Sequence, residues 1–87
     1  MTNYKIAEDV LSKTVNDEEV IVNLNTGTYF GLNPTGTVIW NHLKLGSDTS
    51  VILNDLLEQF EASEDELQQD LEQFVAHLQS QNMLSEA

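Results

Sequence analysis

Catalysis or metal binding in this chain would have to draw on two histidines and fifteen acidic residues, since there is no cysteine. His42 and His77 each stand alone. Neither has a second ligand one helical turn away, so the spacing predicts no metal site. Seven of the acids fall between Glu58 and Glu72, without the alternating oxygen ligands of a calcium loop, and they read as a solvated face. No nucleophile–base pair, glycine-rich phosphate loop or glycosidase-like pair of carboxylates is recognisable. A chain of 87 residues also has little room for a deep substrate cavity. No catalytic residue, metal or cofactor is expected, and the chain reads as a binding protein rather than an enzyme.

Charge narrows what it can bind. Fifteen Asp and Glu stand against three Lys, for a net charge of −12. Proteins that bind nucleic acid gain much of their affinity by neutralising phosphates, and Lys5, Lys13 and Lys44 cannot form that footprint. Anionic membranes are disfavoured for the same reason. The acidity serves solubility, or it steers a basic partner toward the surface. The first nine residues lack the basic and apolar segments of a signal peptide, and no apolar run is long enough to span a bilayer. With cysteine absent as well, a cytoplasmic protein is expected.

The elements that must position a binding surface come in two blocks. Val10–Val15 alternates and is followed by a polar turn at Asn16-Asp17-Glu18. Glu19–Leu24 is a stronger strand, with Val20, Val22 and Leu24 on one face. Asn25-Thr26-Gly27 makes a hairpin turn in which Gly27 takes positive φ, and Thr28–Leu32 returns with Phe30 and Leu32 on a common face. Asn33-Pro34 then caps and starts a helix that Gly46 ends, with Val38, Ile39, Leu43 and Trp40 toward the core. A second helix runs from about Thr49 to Phe60, capped by Asp48 or Thr49, its apolar positions Leu53, Leu56, Leu57 and Phe60. Ser63 and Glu66 form a capping box for a third helix. Leu67, Leu71, Phe74, Val75 and Leu78 make one apolar stripe along it, bordered by Val75 and Gln68 on one side and Asp70, His77 and Gln81 on the other. It ends near Gln81-Asn82, and Met83-Leu84 folds back onto the core. The expected fold is α+β: a three-stranded antiparallel meander, then three helices covering one sheet face, a winged helix–turn–helix-like order. A single domain spans 1–87, its ordered core about 10–84.

Phe30-Gly31-Leu32-Asn33-Pro34-Thr35-Gly36, followed by Ile39-Trp40, resembles the signature of the coenzyme PQQ synthesis protein D family. That signature is an aromatic, one residue, Leu-Asn, two residues, Gly, then a hydrophobic-Trp pair. The later Asp70-Leu71 with Phe74-Val75 and Leu78 matches the family's last helix. The signature aromatic is often Tyr; here it is Phe30, with Tyr29 beside it. The resemblance covers Val10 to Leu84. It implies a recognition element of ribosomal natural-product biosynthesis, which grips the leader of a precursor peptide as an added strand beside the third strand, against the third helix. A separate modifying enzyme or leader peptidase would receive the peptide. As an acidic chain of one domain it looks most like the small partner of split lasso-peptide leader peptidases.

An open edge strand is a ready template for strand addition, and Gly31 would let a second backbone approach closely. The peptide-binding residues expected are Thr28, Tyr29, Phe30, Gly31 and Leu32 on the strand, with Leu67, Asp70, Leu71, Phe74, Val75, His77 and Leu78 on the helix. Several of these also belong to the expected core. Tyr29 is either solvated or part of the cleft, and Asp70 is either a solvated acid or a contact to the leader. Which border of the third helix faces the peptide is open. The alternative function is a protein-interaction or regulatory winged helix that binds no nucleic acid.

Overall fold

A computed structural model describes residues 2–87. Three strands, β2 (Val10–Val15), β3 (Glu18–Asn23) and β4 (Tyr29–Gly31), form an antiparallel meander in the order β2-β3-β4. Helices α1 (Pro34–Leu45), α2 (Thr49–Gln59) and α3 (Glu64–Ser80) follow. The expected fold class is the observed one.

Two further strands were not anticipated. β1 (Tyr4–Ile6) pairs antiparallel with β5 (Leu84–Glu86), so the two ends of the chain close on each other. Thr49 N–H donates to Thr2 O at 3.0 Å and Asn3 Nδ2 donates to Gly46 O at 2.8 Å, tying the first residues to the α1–α2 junction. Three-residue strands carry too little pattern to be read locally; their partner lies across the whole chain.

The first hairpin turns on Asn16 and Asp17, both at positive φ (52° and 67°), with Glu18 already in β3. Two consecutive residues of this kind make the turn that matches strand twist. At the second hairpin Gly27 has φ 74°, and Asn23 Oδ1 accepts from Asn25 N–H at 2.9 Å. Val20, Val22 and Leu24 share one face of β3, as expected, and it is the outer one. Ile21 is fully buried and Asn23 nearly so, while Val20, Val22 and Leu24 point away from the helices. The solvent face therefore carries a row of apolar side chains across the sheet, Leu11–Val22–Tyr29. Alternation fixes the two faces of β3; the face of Ile21 also carries Glu19 and Asn23, so apolar content does not choose the inside and packing does.

The helix boundaries follow their caps. Asn33 Oδ1 accepts from Gly36 N–H at 2.7 Å, and Gly46 closes α1 in the left-handed conformation. Asp48 caps α2, accepting from Ser50 and Val51 N–H at 2.9 and 3.1 Å. Ser63 Oγ accepts from Glu66 N–H at 3.2 Å at the start of α3. The core joins Trp40, Ile39 and Leu43 to Ile52 and Leu56, to Leu67, Leu71, Val75 and Leu78, and to Val10, Ile21 and Leu32 of the meander. Met83 and Leu84 fold back into it, as expected. On α2 the centre of the buried stripe is Ile52 and Leu56, with Leu53, Leu57 and Phe60 only partly buried. The expected stripe was right in kind and shifted by part of a turn. Among the described residues, no helix is long and apolar enough to cross a membrane.

Sequence alone offered no partner for His42, and the fold supplies two. Its Nε2 lies 2.6 Å from Asp55 Oδ2 and its Nδ1 3.2 Å from Ser47 Oγ, clamping α1 to α2. Gln59 Nε2 donates to the other Asp55 oxygen at 2.9 Å. The Gln59 hydrogen bond, then His42, holds the Asp55 carboxyl below its ordinary value; hydrogen bonds from Ser50 and Val51 do the same for Asp48. A depressed carboxylate stabilises the fold above its unfolded pKa, about 4, and loses that contribution as pH falls through the folded value. The melting temperature of wild type should therefore exceed that of Asp48→Ala/Asp55→Ala at neutral pH, and the gap should close on acidification below about pH 4. A gap that persists undiminished in acid would show that ionisation of these groups contributes nothing.

A cleft between the last strand of the meander and the third helix

β4 has a partner on one side only. Asn23 N–H donates to Thr28 O at 2.9 Å and Leu32 N–H to Glu19 O at 2.8 Å, with Ile21 opposite Phe30 between them. In an antiparallel ladder alternate residues turn their backbone groups toward one neighbour or the other. Thr28, Phe30 and Leu32 therefore bond inward to β3. Tyr29 and Gly31 direct their N–H and C=O groups to the open edge.

Beside that edge lies a cleft of about 300 Å³, lined by Phe30, Gly31, Leu32 and the start of α1 on one side and by α3 on the other. The α3 residues are Asp70, Gln73, Phe74 and His77, at i, i+3, i+4 and i+7, which places them on one helical face. This face sits next to the core stripe of Leu67, Leu71, Val75 and Leu78. The single stripe read from sequence is thus two. Phe74, half-buried, belongs to the cleft side, and Val75, at 6% exposure, to the core.

Apolar contact shapes the cleft. The Phe30 and His77 rings meet edge to face with centroids 5.1 Å apart, joining β4 to α3. At Gly36 a Cβ would stand 3.4 Å from Phe74 Cε1 and 3.1 Å from the capping Asn33 Oδ1. Glycine there lets the Phe74 ring lie against α1. At Gly31 an added Cβ would meet nothing within 4 Å, so the packing of the free domain does not demand glycine at that position.

Of the residues expected at a binding site, Phe30, Gly31, Leu32, Asp70, Phe74 and His77 are brought together here. Leu67, Leu71, Val75 and Leu78 are buried in the core, because the α3 face they share is turned toward α1 and α2. Thr28 closes the hairpin, and Tyr29 is 72% exposed with its side chain on the far face of the sheet. Asn33, Thr35, Gly36, Ile39 and Gln73 line the cleft and were not expected there. Gln73 was legible as the i+3 neighbour of Asp70; the others reach the cleft only because α1 folds under β4.

Among the described residues no group of three His, Asp or Glu is placed to hold a metal ion. The Ser47–His42–Asp55 chain, which sequence did not reveal, has the parts of a nucleophile relay. However, the shallow recess at His42 and Asp55 is lined by Val38, Asn41, Leu45 and Gln59, not by Ser47. The three side chains link the end of α1 to α2.

The sequence profile of the family described as coenzyme PQQ synthesis protein D (PqqD) matches residues 18–84. No curated protein sequence matches. The fold is similar to that of TbiB1, solved in complex with the TbiA(beta) leader peptide: TM-score 0.85, 32% identity, 93% of this chain and 94% of that one. It is also similar to a lasso peptide synthetase B1 complexed with the leader peptide, with TM-score 0.86 over 94% and 96% of the two chains. That second likeness, at 18% identity, speaks to fold.

Proposed function

The chain belongs to the coenzyme PQQ synthesis protein D family, and from that premise we propose that it is a leader-peptide recognition domain. It holds the leader of a ribosomally made precursor as an extra strand on β4, with inward side chains in the cleft against α3. It presents the peptide to a separate modifying enzyme or leader peptidase in the cytoplasm and performs no chemistry itself. Lasso-peptide biosynthesis is the setting that the similarity to TbiB1 supports.

One observation carries this reading. The outward backbone groups of Tyr29 and Gly31 lie on the open edge of β4, the strand whose Phe30 and Gly31 line the cleft. Edge hydrogen bonds supply affinity to any extended peptide, and alternate side chains entering the cleft supply sequence preference.

The alternation also makes a sharp test. In amide exchange with the TbiA(beta) leader peptide as probe, Tyr29 and Gly31 should gain protection. Phe30 and Leu32, already bonded to β3, should change little, and the Asp70–His77 segment of α3 should slow as the cleft closes over peptide. Protection confined to α1 and α2 would sink strand addition.

A further inference from the structure

We propose that the cleft selects extended peptides carrying Lys or Arg two residues from an apolar side chain, with Asp70 as the residue that reads the cation. This rests on the strand-addition reading and adds a chemical requirement to it.

The spacing argument comes first. Side chains on one face of a strand recur every second residue, roughly 6.7 Å apart. Residues four apart on a helix are separated by about 6 Å along its axis. Phe74 and Asp70 are such a pair on the cleft face of α3. The contacts set the direction: His77 meets Phe30, and Phe74 approaches Gly36 and its neighbours at the start of α1. Asp70 therefore lies one turn further on, toward the Asn33–Thr35 end. When one inward side chain of an added strand rests against Phe74, the next inward one faces Asp70.

The charge argument is independent of it. The cleft is lined by apolar and neutral polar groups apart from Asp70 and His77, and no lysine reaches it. The ion pairs among the described residues are His42–Asp55 and Lys44–Glu19, so Asp70 joins neither. A carboxylate at the rim of an apolar groove, in a chain of net charge −12, favours a cation and repels an acid. A long Lys or Arg stem can lie along the apolar wall while its head reaches the carboxylate.

The experiment uses three extended Ser/Thr-rich peptides. Each has a central Leu flanked two residues away on both sides by Lys, by norleucine or by Glu, which makes strand direction immaterial. In fluorescence anisotropy at physiological salt, the Lys peptide should bind about threefold to tenfold tighter than the norleucine peptide, and the Glu peptide weakest. Asp70→Asn should remove the preference for Lys over norleucine. Glu72→Gln should keep it, because Glu72 lies on the other side of α3, beside Gln68 and Val75. Equal binding of the Lys and norleucine peptides to wild type, or a preference that survives Asp70→Asn, overturns the inference. If the TbiA(beta) leader binds and none of the three peptides does, the two-residue rule fails while strand addition stands. If the leader does not bind either, the recognition reading itself fails.

Discussion

Gly31→Pro is expected to leave the domain folded and to weaken leader binding by roughly tenfold to a hundredfold. The Gly31 N–H points to the open edge rather than into the ladder, so replacing it breaks no internal bond. Proline is tolerated at edge positions of this kind. A Cβ at this position meets nothing within 4 Å in the free protein, and the ring's Cδ replaces an amide hydrogen that points to the open edge. In the complex it removes one donor and puts its Cδ where the incoming strand must come. Losing two backbone hydrogen bonds to the leader at about 0.5–1.5 kcal/mol each corresponds to that range. Thr14→Pro supplies the control. By the same alternation the Thr14 N–H and C=O point away from β3, on the opposite edge of the sheet, and the peptide should bind this variant as it binds wild type. Thermal melting and peptide titration of both variants decide the matter. Undiminished binding by folded Gly31→Pro would remove β4 from the binding site.

Trp40→Ala is expected to have the largest effect on folding, roughly 3–5 kcal/mol. Trp40 is 1% exposed and among the largest fully buried side chains, at the centre of the α1 surface packed against the rest of the core. A domain this small has about 4–13 kcal/mol of total stability, so the loss is a large share of the whole. The indole adds a second test, because its Nε1 is buried without a hydrogen-bond partner among the described residues. An orphaned buried donor costs about 1–3 kcal/mol. Trp40→Phe gives up part of the ring but also removes that donor, so it should cost far less than Trp40→Ala. Urea unfolding followed by far-ultraviolet circular dichroism compares all three without relying on tryptophan emission. Equal losses for Phe and Ala would contradict this expectation.

Much of this was legible in residue order. Asn33, Asp48 and Ser63 marked three helix starts and Gly46 one end, because caps act through bonds within a turn of themselves. The two hairpins were legible for the same local reason. The absence of arginine and the scarcity of lysine argued against a phosphate-binding surface before any fold was known. The motif from Phe30 to Trp40 pointed to the family. Asp70 and His77 were read on one border of the α3 stripe, whereas Phe74, which shares their face, was read as part of the stripe itself.

What only the tertiary structure decided were questions of side. On α3 a single broad apolar band divides into a core stripe and a cleft stripe, depending on whether α1 and α2 or the edge of β4 lies opposite. On β3 one face carries Val20, Val22 and Leu24 and the other Glu19, Ile21 and Asn23, and burial of the second follows from where the helices stack. The β1–β5 pair and the His42–Asp55 clamp join residues far apart in the chain or on different helices. Periodicity reports that a residue has a face; it does not report what stands across from it. Local hydrogen-bonding and steric preferences settle where elements begin and end, whereas the partner of each face is chosen by packing of the whole chain at once.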